Sequence, residues 1–189
     1  TYPEFQKKLE EFKKLLVELV DNNESKTFYK FGDGDYYFLQ KMPVGSATPG
    51  RRALSKSYES IGHEAFVEGA QLCDYYTCEI YPENIAHYKE VIQRDIDFPA
   101  EYGYGLVTNK WLLQTFAGKI GLIGANTKMN IIQNIMEAPQ YQEYLGLEKF
   151  EDYISLPQKF ACDDLDATEK MVGEQLEKST SKIFLMGMG

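Results

Sequence analysis

The sequence has few of the residue types that build metal centres and disulfide frameworks. Its two histidines, His63 and His87, are far apart in the chain, and its three cysteines form no C-x-x-C pair. A histidine metal site and a histidine-based catalytic triad are therefore poorly supported, and the odd cysteine count argues against a disulfide framework or a zinc site. We expect a reducing compartment and a cytoplasmic location.

The chain also has no long apolar run and no excess of basic residues. Because no apolar run approaches the roughly 20 residues that span a bilayer, we expect no membrane span. With 20 Lys and Arg against 29 Asp and Glu, the formal net charge is −9. Proteins that bind nucleic acid usually carry a basic face, so this charge argues against nucleic acid as a partner.

The composition that remains is that of a folded domain. The chain has 189 residues, of which 43% are hydrophobic and 14% aromatic, enough to form a real core. We expect a single domain over residues 1–189. Because the sequence begins at Thr1 and ends on an apolar strand followed by a glycine turn, we expect this domain to be cut from a longer polypeptide that carries further domains.

Alternating helix and strand patterns indicate the fold class. An amphipathic helix over Pro3–Val20 precedes an aromatic strand at 28–31. Residues 119–124 form a nearly continuous apolar run, typical of a strand buried on both faces, and a helix follows over 127–137. With a last strand at 183–186, this order predicts an α/β fold with a Rossmann-like, mostly parallel sheet, helices on both faces and a ligand site at the carboxyl ends of the strands.

Three segments between these elements have weaker patterns. Residues 36–42 are expected to form a short helix. Asn84 is expected to cap a helix that runs to about Arg94. We expect residues 95–104 to form a loop, because a proline and an aromatic-glycine alternation interrupt any regular period.

The sharpest motif is Asp-Gly-Asp directly after the aromatic strand. In an extended turn, Asp33 and Asp35 would lean toward one point and form a hard oxygen site suited to Mg²⁺ or Mn²⁺ with a phosphate as co-ligand. Gly32 and Gly34 would allow the sharp turn and the close approach of a ligand to the backbone. The structural alternative is a solvated Asp-Gly turn.

Six further residues are candidates for binding an anionic nucleotide. Two arginines close a small-residue loop, an Asn-Lys pair precedes a predicted helix, and a Gly and an Asn follow the apolar strand: Arg51, Arg52, Asn109, Lys110, Gly124 and Asn126. Structural alternatives exist for each: surface salt bridges for the arginines, a helix cap for the Asn-Lys pair, and a strand-to-helix turn for the last two residues.

The segment Phe31-Gly32-Asp33-Gly34-Asp35 resembles the Phe-Gly-Asp-Gly-Glu segment of the GT-D fold glycosyltransferases, with Asp35 in place of the family's Glu. Looser likenesses lie at 102–109, 118–124 and 183–189. The resemblance implies a Rossmann-like fold, a UDP-sugar donor and a divalent metal held by the second acid of the motif. It therefore implies a glycosyltransferase that moves a sugar from a nucleotide-sugar to a glycan or glycoprotein acceptor.

That reaction assigns a role to each candidate. A metal on Asp35, with Arg51 or Arg52, would stabilise the negative charge that grows on the diphosphate as the glycosidic bond breaks. Asp33 is the nearest candidate for the base that takes the proton of the acceptor hydroxyl. Gly32, Gly34 and the four candidates after residue 105 would contact the donor.

Two alternatives stay open. A phosphatase of the haloacid-dehalogenase type also places D-x-D at the end of its first strand, and Thr108, Lys128 and the pair Asp163-Asp164 follow in a suitable order. However, Gly32 stands where those enzymes have an apolar residue, and Tyr37 stands where they have Thr or Val. A non-catalytic nucleotide-binding module would differ from the transferase only in lacking turnover.

Overall fold

The computed structural model describes residues 2–40, 56–157 and 164–187, with the backbone alone at 56–61. The helices in these ranges are α1 Tyr2–Asp21, α2 Asp33–Leu39, α3 Lys56–Gln71, α4 Pro82–Val91, α5 Ala100–Thr108, α6 Trp111–Thr115, α7 Asn126–Ile135, α8 Pro139–Leu145 and α9 Leu165–Leu176. The strands are β1 Phe28–Phe31, β2 Tyr75–Cys78, β3 Phe98–Pro99, β4 Ile120–Ala125, β5 Asp152–Leu156 and β6 Ile183–Gly187. No helix in these ranges has the length and apolar character needed to cross a membrane.

The strands form two three-stranded parallel sheets, in the orders β1-β2-β3 and β5-β4-β6. The predicted α/β class with parallel strands is therefore confirmed at that level, while the Rossmann-like arrangement stays a prediction. The chain divides into two compact units, residues 1–105 and 106–189, and each sheet lies within one of them. The expectation of a single domain also stays a prediction.

In the first unit, alternate residues of the strands face different helices. Phe12 of α1 packs on Phe28 of β1 at 6.0 Å and on Phe98 of β3 at 4.7 Å between ring centroids. Phe31 points the other way, into a buried cluster with Leu39 of α2 and other residues of α3, α4 and β2. Because successive side chains of a strand point to opposite faces, α1 and the α2–α4 group cover the two faces of this sheet.

In the second unit, β4 is the central strand and all six of its residues are buried. This confirms the predicted strand that is buried on both faces. Its edge neighbour β5 is held by Gln175 of α9, whose amide accepts from the Ser155 backbone N–H at 2.9 Å and donates to the Ser155 carbonyl at 3.1 Å. Gln175 thus satisfies backbone groups that an edge strand would otherwise leave to water.

Three predictions about local structure are wrong. The first helix after β1 begins at Asp33 rather than at residue 36, because Gly32 is extended and Asp35 bonds back to its N–H at 3.0 Å. The helix α4 begins at Pro82, whose ring suits a first helical turn, so Asn84 lies inside the helix and is not its cap. Most of the predicted 95–104 loop is β3 and the start of α5.

The helix α5 forms although two glycines interrupt it. Tyr102 and Leu106 are four residues apart and lie 2% and 0% exposed. Tyr102 contacts Phe5 of α1 edge-on at 5.0 Å between ring centroids. Burial of this apolar face outweighs the roughly 1 kcal/mol that each glycine costs a helix interior.

Candidate functional site

The three strands of the first sheet end side by side. Phe31 lies opposite Cys78, and Cys78 lies opposite Pro99. The residues that follow these strand ends therefore share one border of the sheet, which we call the carboxyl edge. Ligands of parallel α/β sheets bind at such an edge.

Asp33 and Asp35 lie at this edge, in the first turn of α2 rather than in the expected extended turn. The Asp35 side chain is half-buried. Its Oδ2 accepts from the Gly32 N–H at 3.0 Å and its Oδ1 accepts from the Tyr29 hydroxyl at 3.2 Å. Burial raises the pKa of Asp35, an effect that these hydrogen bonds and nearby Lys30 oppose. A bound cation would relieve the cost of keeping this carboxylate charged.

Asp33 has a different environment. Its side chain is exposed, and its Oδ1 accepts from the Gly34 N–H at 2.7 Å. Its own backbone N–H donates to Oε2 of Glu79 at 3.3 Å. The Asp35 carboxylate is thus half-buried and accepts hydrogen bonds from two neighbouring groups, whereas the Asp33 carboxylate is open to solvent.

Glu79 is the residue of this edge that sequence reasoning missed. It follows β2 directly, and its side chain is 13% exposed. Oε1 contacts Lys30 Nζ at 3.0 Å and accepts from the Tyr104 hydroxyl at 3.1 Å. Oε2 accepts from the Asn84 amide at 3.1 Å and from the Asp33 N–H. A carboxylate directly after a short apolar strand was the available signal, but only the sheet pairing places it beside Asp33.

Lys30 is the second-to-last residue of β1, and its side chain extends to this edge. Burial opposes its charge, but hydrogen bonds with Tyr104 and Glu79 outweigh burial and raise the pKa of Lys30. Its amine also lies 5.5 Å from the centroid of the Tyr104 ring, within cation–π range. Lys30 therefore stays positively charged among the acids of the edge.

A further acid follows β3. Glu101, in the first turn of α5, accepts from the Ile80 N–H through Oε1 at 3.0 Å. Its other oxygen, Oε2, is buried and has no hydrogen-bond partner among the residues that the structure describes. Asp33, Asp35, Glu79 and Glu101 thus give the edge four acids against the charge of Lys30.

Four of the candidate binding residues lie in the second unit. Asn109 lies one position before Lys110, the N-cap residue of α6, and its Oδ1 accepts from the N–H of Trp111 at the helix start at 3.0 Å. Lys110 has φ of 67°, and its Nζ lies 3.8 Å from the Tyr144 ring centroid. Gly124 is buried in β4, and Asn126 is the exposed first residue of α7.

Gly124 has a packing role of its own. A methyl group there would lie 2.9 Å from the Gly187 carbonyl oxygen of β6 and 2.9 Å from Met129 Cε. The close approach of these strands therefore explains the glycine without a ligand. A donor contact by Gly124 or Asn126 stays a prediction. Arg51, Arg52 and Asp163 lie outside the described residues.

The described residues contain no group of three His, Cys, Asp or Glu side chains arranged as an all-protein metal site. The edge still fits a divalent ion shared with a ligand, because Mg²⁺ commonly takes one or two carboxylates and completes its shell with substrate phosphates and water. Oδ2 of Asp35 accepts from the Gly32 N–H and Oδ1 from the Tyr29 hydroxyl, and a carboxylate has about four lone-pair sites in all.

Comparison of the chain with known protein families, curated proteins and solved structures gives no match. The fold and the edge define an α/β protein with parallel sheets and an acid-rich site after β1. The resemblance to the GT-D fold glycosyltransferases stays a prediction.

Proposed function

We propose that the protein is a glycosyltransferase that moves a sugar from a UDP-linked nucleotide-sugar to a glycan or glycoprotein acceptor, with Mn²⁺ or Mg²⁺ bound at Asp35 and Asp33. A Rossmann-like arrangement of the whole chain is part of the proposal. The observation that carries it is the position of the Asp-Gly-Asp motif at the carboxyl edge of a parallel sheet, where its acids meet Lys30 and Glu79.

In this proposal Asp35 holds the donor end of the site. A divalent ion there would neutralise the charge that develops on the diphosphate. The Gly32 N–H and the Tyr29 hydroxyl fix the orientation of the Asp35 carboxylate. Such hydrogen bonds to a ligating carboxylate commonly set metal affinity, so Tyr29 belongs to the same assembly.

Asp33 is assigned the acceptor end. Its carboxylate is open to solvent, so an acceptor hydroxyl can come within hydrogen-bond reach of it, as a general base requires. The backbone contact with Glu79 holds the first residue of α2 in place. The donor contacts expected from the sequence at Arg51, Arg52, Asn109, Lys110, Gly124 and Asn126 stay predictions.

The test is a thermal-shift panel of UDP, UDP-sugars and other nucleoside diphosphates, with and without Mn²⁺. At 100 times its dissociation constant, a ligand adds about 2.7 kcal/mol to stability. For a chain of this length, that corresponds to a rise in Tm of about 5 to 10 °C. We expect UDP to give such a rise only with Mn²⁺ in the wild-type protein.

Asp35→Asn is the decisive variant, because the amide keeps an oxygen that can accept from the Gly32 N–H while the charge is lost. We expect it to abolish the Mn²⁺-dependent rise. Glu83→Gln is the matched control, since Glu83 is also a first-turn acid of a helix in the same unit but lies exposed. Equal, metal-independent binding of UDP by wild type and Asp35→Asn would refute the assignment of the metal.

A further inference from the structure

Lys30 and Glu79 form an ion pair directly over the start of the motif. The Lys30 Nζ lies 3.0 Å from Glu79 Oε1, and the lysine side chain is 39% exposed. A methyl group on Gly32 would lie 2.1 Å from that Nζ, so the amine rests against the Gly32 backbone. Asp33 and Asp35 follow Gly32, in the first turn of α2. The ammonium group is therefore beside whatever ligand the two acids hold.

Glu79 does not depend on Lys30 for its hydrogen bonds. The Tyr104 hydroxyl remains on Oε1, and the Asn84 amide and the Asp33 N–H remain on Oε2. If the lysine turned to another anion, the Glu79 carboxylate would still have three donors. Breaking a buried ion pair is costly mainly when it leaves a charge without partners, which is not the case here.

The lysine is also able to move. Its four-carbon stem is flexible, and more than a third of its side chain is exposed. Partial burial disfavours its charged form, so contact with an anion stabilises the ammonium group. A phosphate oxygen offers a charge-assisted hydrogen bond of the same kind as the one with Glu79. The positive charge of Lys30 would also offset the repulsion between a diphosphate and the four acids of the edge.

We propose that Lys30 binds the diphosphate of the nucleotide and that Glu79 holds its amine in place before the ligand arrives. The inference rests on the proposed function, because it takes the nucleotide to be a diphosphate. It adds the side chain of Lys30, a residue of strand β1, to the groups that bind the nucleotide. A purely structural ion pair would stabilise the fold and leave ligand affinity unchanged.

The experiment is isothermal titration of the chain with UDP, UMP and uridine in the presence of Mn²⁺. Lys30→Met removes the charge and keeps a long apolar stem, whereas Lys30→Arg keeps the charge. Lys26→Met is the matched control, because Lys26 forms a 3.0 Å pair with Asp74 before β1, away from the carboxyl edge. A Lys30→Met/Glu79→Gln double variant removes both charges and guards against a fold weakened by an unpaired carboxylate.

We expect Lys30→Met and the double variant to bind UDP about 10- to 100-fold more weakly, the range of a lost hydrogen bond to a charged group. Their affinity for uridine should stay within about twofold of wild type, because uridine has no phosphate for Lys30 to bind. Lys30→Arg should recover most of the UDP affinity, and Lys26→Met should match wild type. Glu79→Gln alone should bind UDP more weakly than wild type but more tightly than Lys30→Met, because the amine keeps its charge and loses the carboxylate that holds it in place.

The outcomes separate the two proposals. If UDP binds wild type and both Lys30 charge-removing variants equally, Lys30 is a structural residue and the inference is overturned, while the proposed function stands. If Lys30→Met loses uridine and UDP to the same extent, the lysine acts on the fold of the site and the inference is again overturned. If wild type binds no nucleoside diphosphate, the proposed function itself is overturned.

Discussion

Replacing Gly32 by Ala tests the geometry of the edge without removing any charged group. The backbone at Gly32 has φ of −142° and ψ of −167°, an extended conformation that any residue adopts. The new methyl group would, however, lie 2.1 Å from Lys30 Nζ and 2.8 Å from Glu79 Oε1. Because the amine is the far end of a flexible side chain, we expect it to swing into solvent and the ion pair to break.

The magnitude follows from the burial of that pair. Exposed ion pairs contribute up to about 1 kcal/mol, and loss of one partner of a buried pair costs about 3 to 5 kcal/mol. Lys30 is 39% exposed and Glu79 13%, and both remain in the variant with other partners or water. We therefore expect a loss of about 1 to 2 kcal/mol. The entropic gain of Gly→Ala and the loss of a glycine N-cap, each under about 1 kcal/mol, nearly cancel.

Thermal and urea denaturation of Gly32→Ala and Gly34→Ala measure this effect. The loss at Gly32 corresponds to a fall in Tm of about 2 to 8 °C for a chain of this length. Gly34 is the control, because a methyl group there meets no atom within 4 Å and lies inside α2. Gly34→Ala should therefore leave stability unchanged or raise it by up to about 1 kcal/mol.

A double-mutant cycle locates the cause. In a Lys30→Ala background the displaced amine is already gone, so at least half of the cost of Gly32→Ala should disappear. Gly32→Ala as stable as Gly34→Ala would refute the placement of the amine against Gly32. An unchanged cost in the Lys30→Ala background would refute it as well.

Tyr29→Phe removes the hydroxyl bonded to Asp35 and should raise the Mn²⁺ concentration needed for UDP binding by about tenfold, so an unchanged Mn²⁺ titration would contradict the proposed support of Asp35. Burial opposes ionisation of Asp152, but hydrogen bonds from Ser179, Thr180 and Ser181 outweigh it and lower the pKa of Asp152. The ionised Asp152 therefore stabilises the fold above the unfolded pKa of about 3.9, and this stabilisation is lost as pH falls through the lower folded pKa. In urea denaturation, Asp152→Asn should lower the free energy of unfolding by about 1 to 3 kcal/mol at pH 7 and make it depend less on pH in acid. The same acid dependence in both proteins would contradict this. Incubation with UDP-sugars should release UDP slowly without acceptor, whereas p-nitrophenyl phosphate should stay intact, and the reverse pattern with loss in Asp33→Asn would favour the phosphatase alternative. A chain that binds UDP but releases none would be a nucleotide-binding module.

Some features of this protein could be predicted because they depend on neighbours in the chain. The helix α1 and the strands β1 and β4 have strong apolar periods, and they lie within one or two residues of their predicted bounds. The Asp-Gly-Asp motif follows β1 in sequence, so its position at a strand end needed no knowledge of the rest of the fold. Asp164 caps α9 locally, because its Oδ1 accepts from the Ala167 N–H three residues later at 2.9 Å.

Other features were decided by tertiary packing. The helix α5 carries two glycines, and it forms because Tyr102 and Leu106 bury one face of it. The extended turn expected for Asp33 and Asp35 is instead a helix start, because the Asp35 carboxylate finds the Gly32 N–H and the Tyr29 hydroxyl. The intrinsic preference of a residue for helix or strand is weak, at most about 1 kcal/mol for residues other than proline. Leaving a buried polar group without a hydrogen bond costs about 1 to 3 kcal/mol, so tertiary contacts override that preference.

The composition of the candidate site divides along the same line. The sequence by itself determined a pair of acids after an aromatic strand, because that motif is contiguous. Only the pairing of parallel strands placed Glu79 beside Asp33, 46 positions away, and brought Lys30 and Tyr104 to the same carboxylate. Parallel pairing joins segments separated by a whole crossover helix, and no local pattern specifies which strand ends will meet.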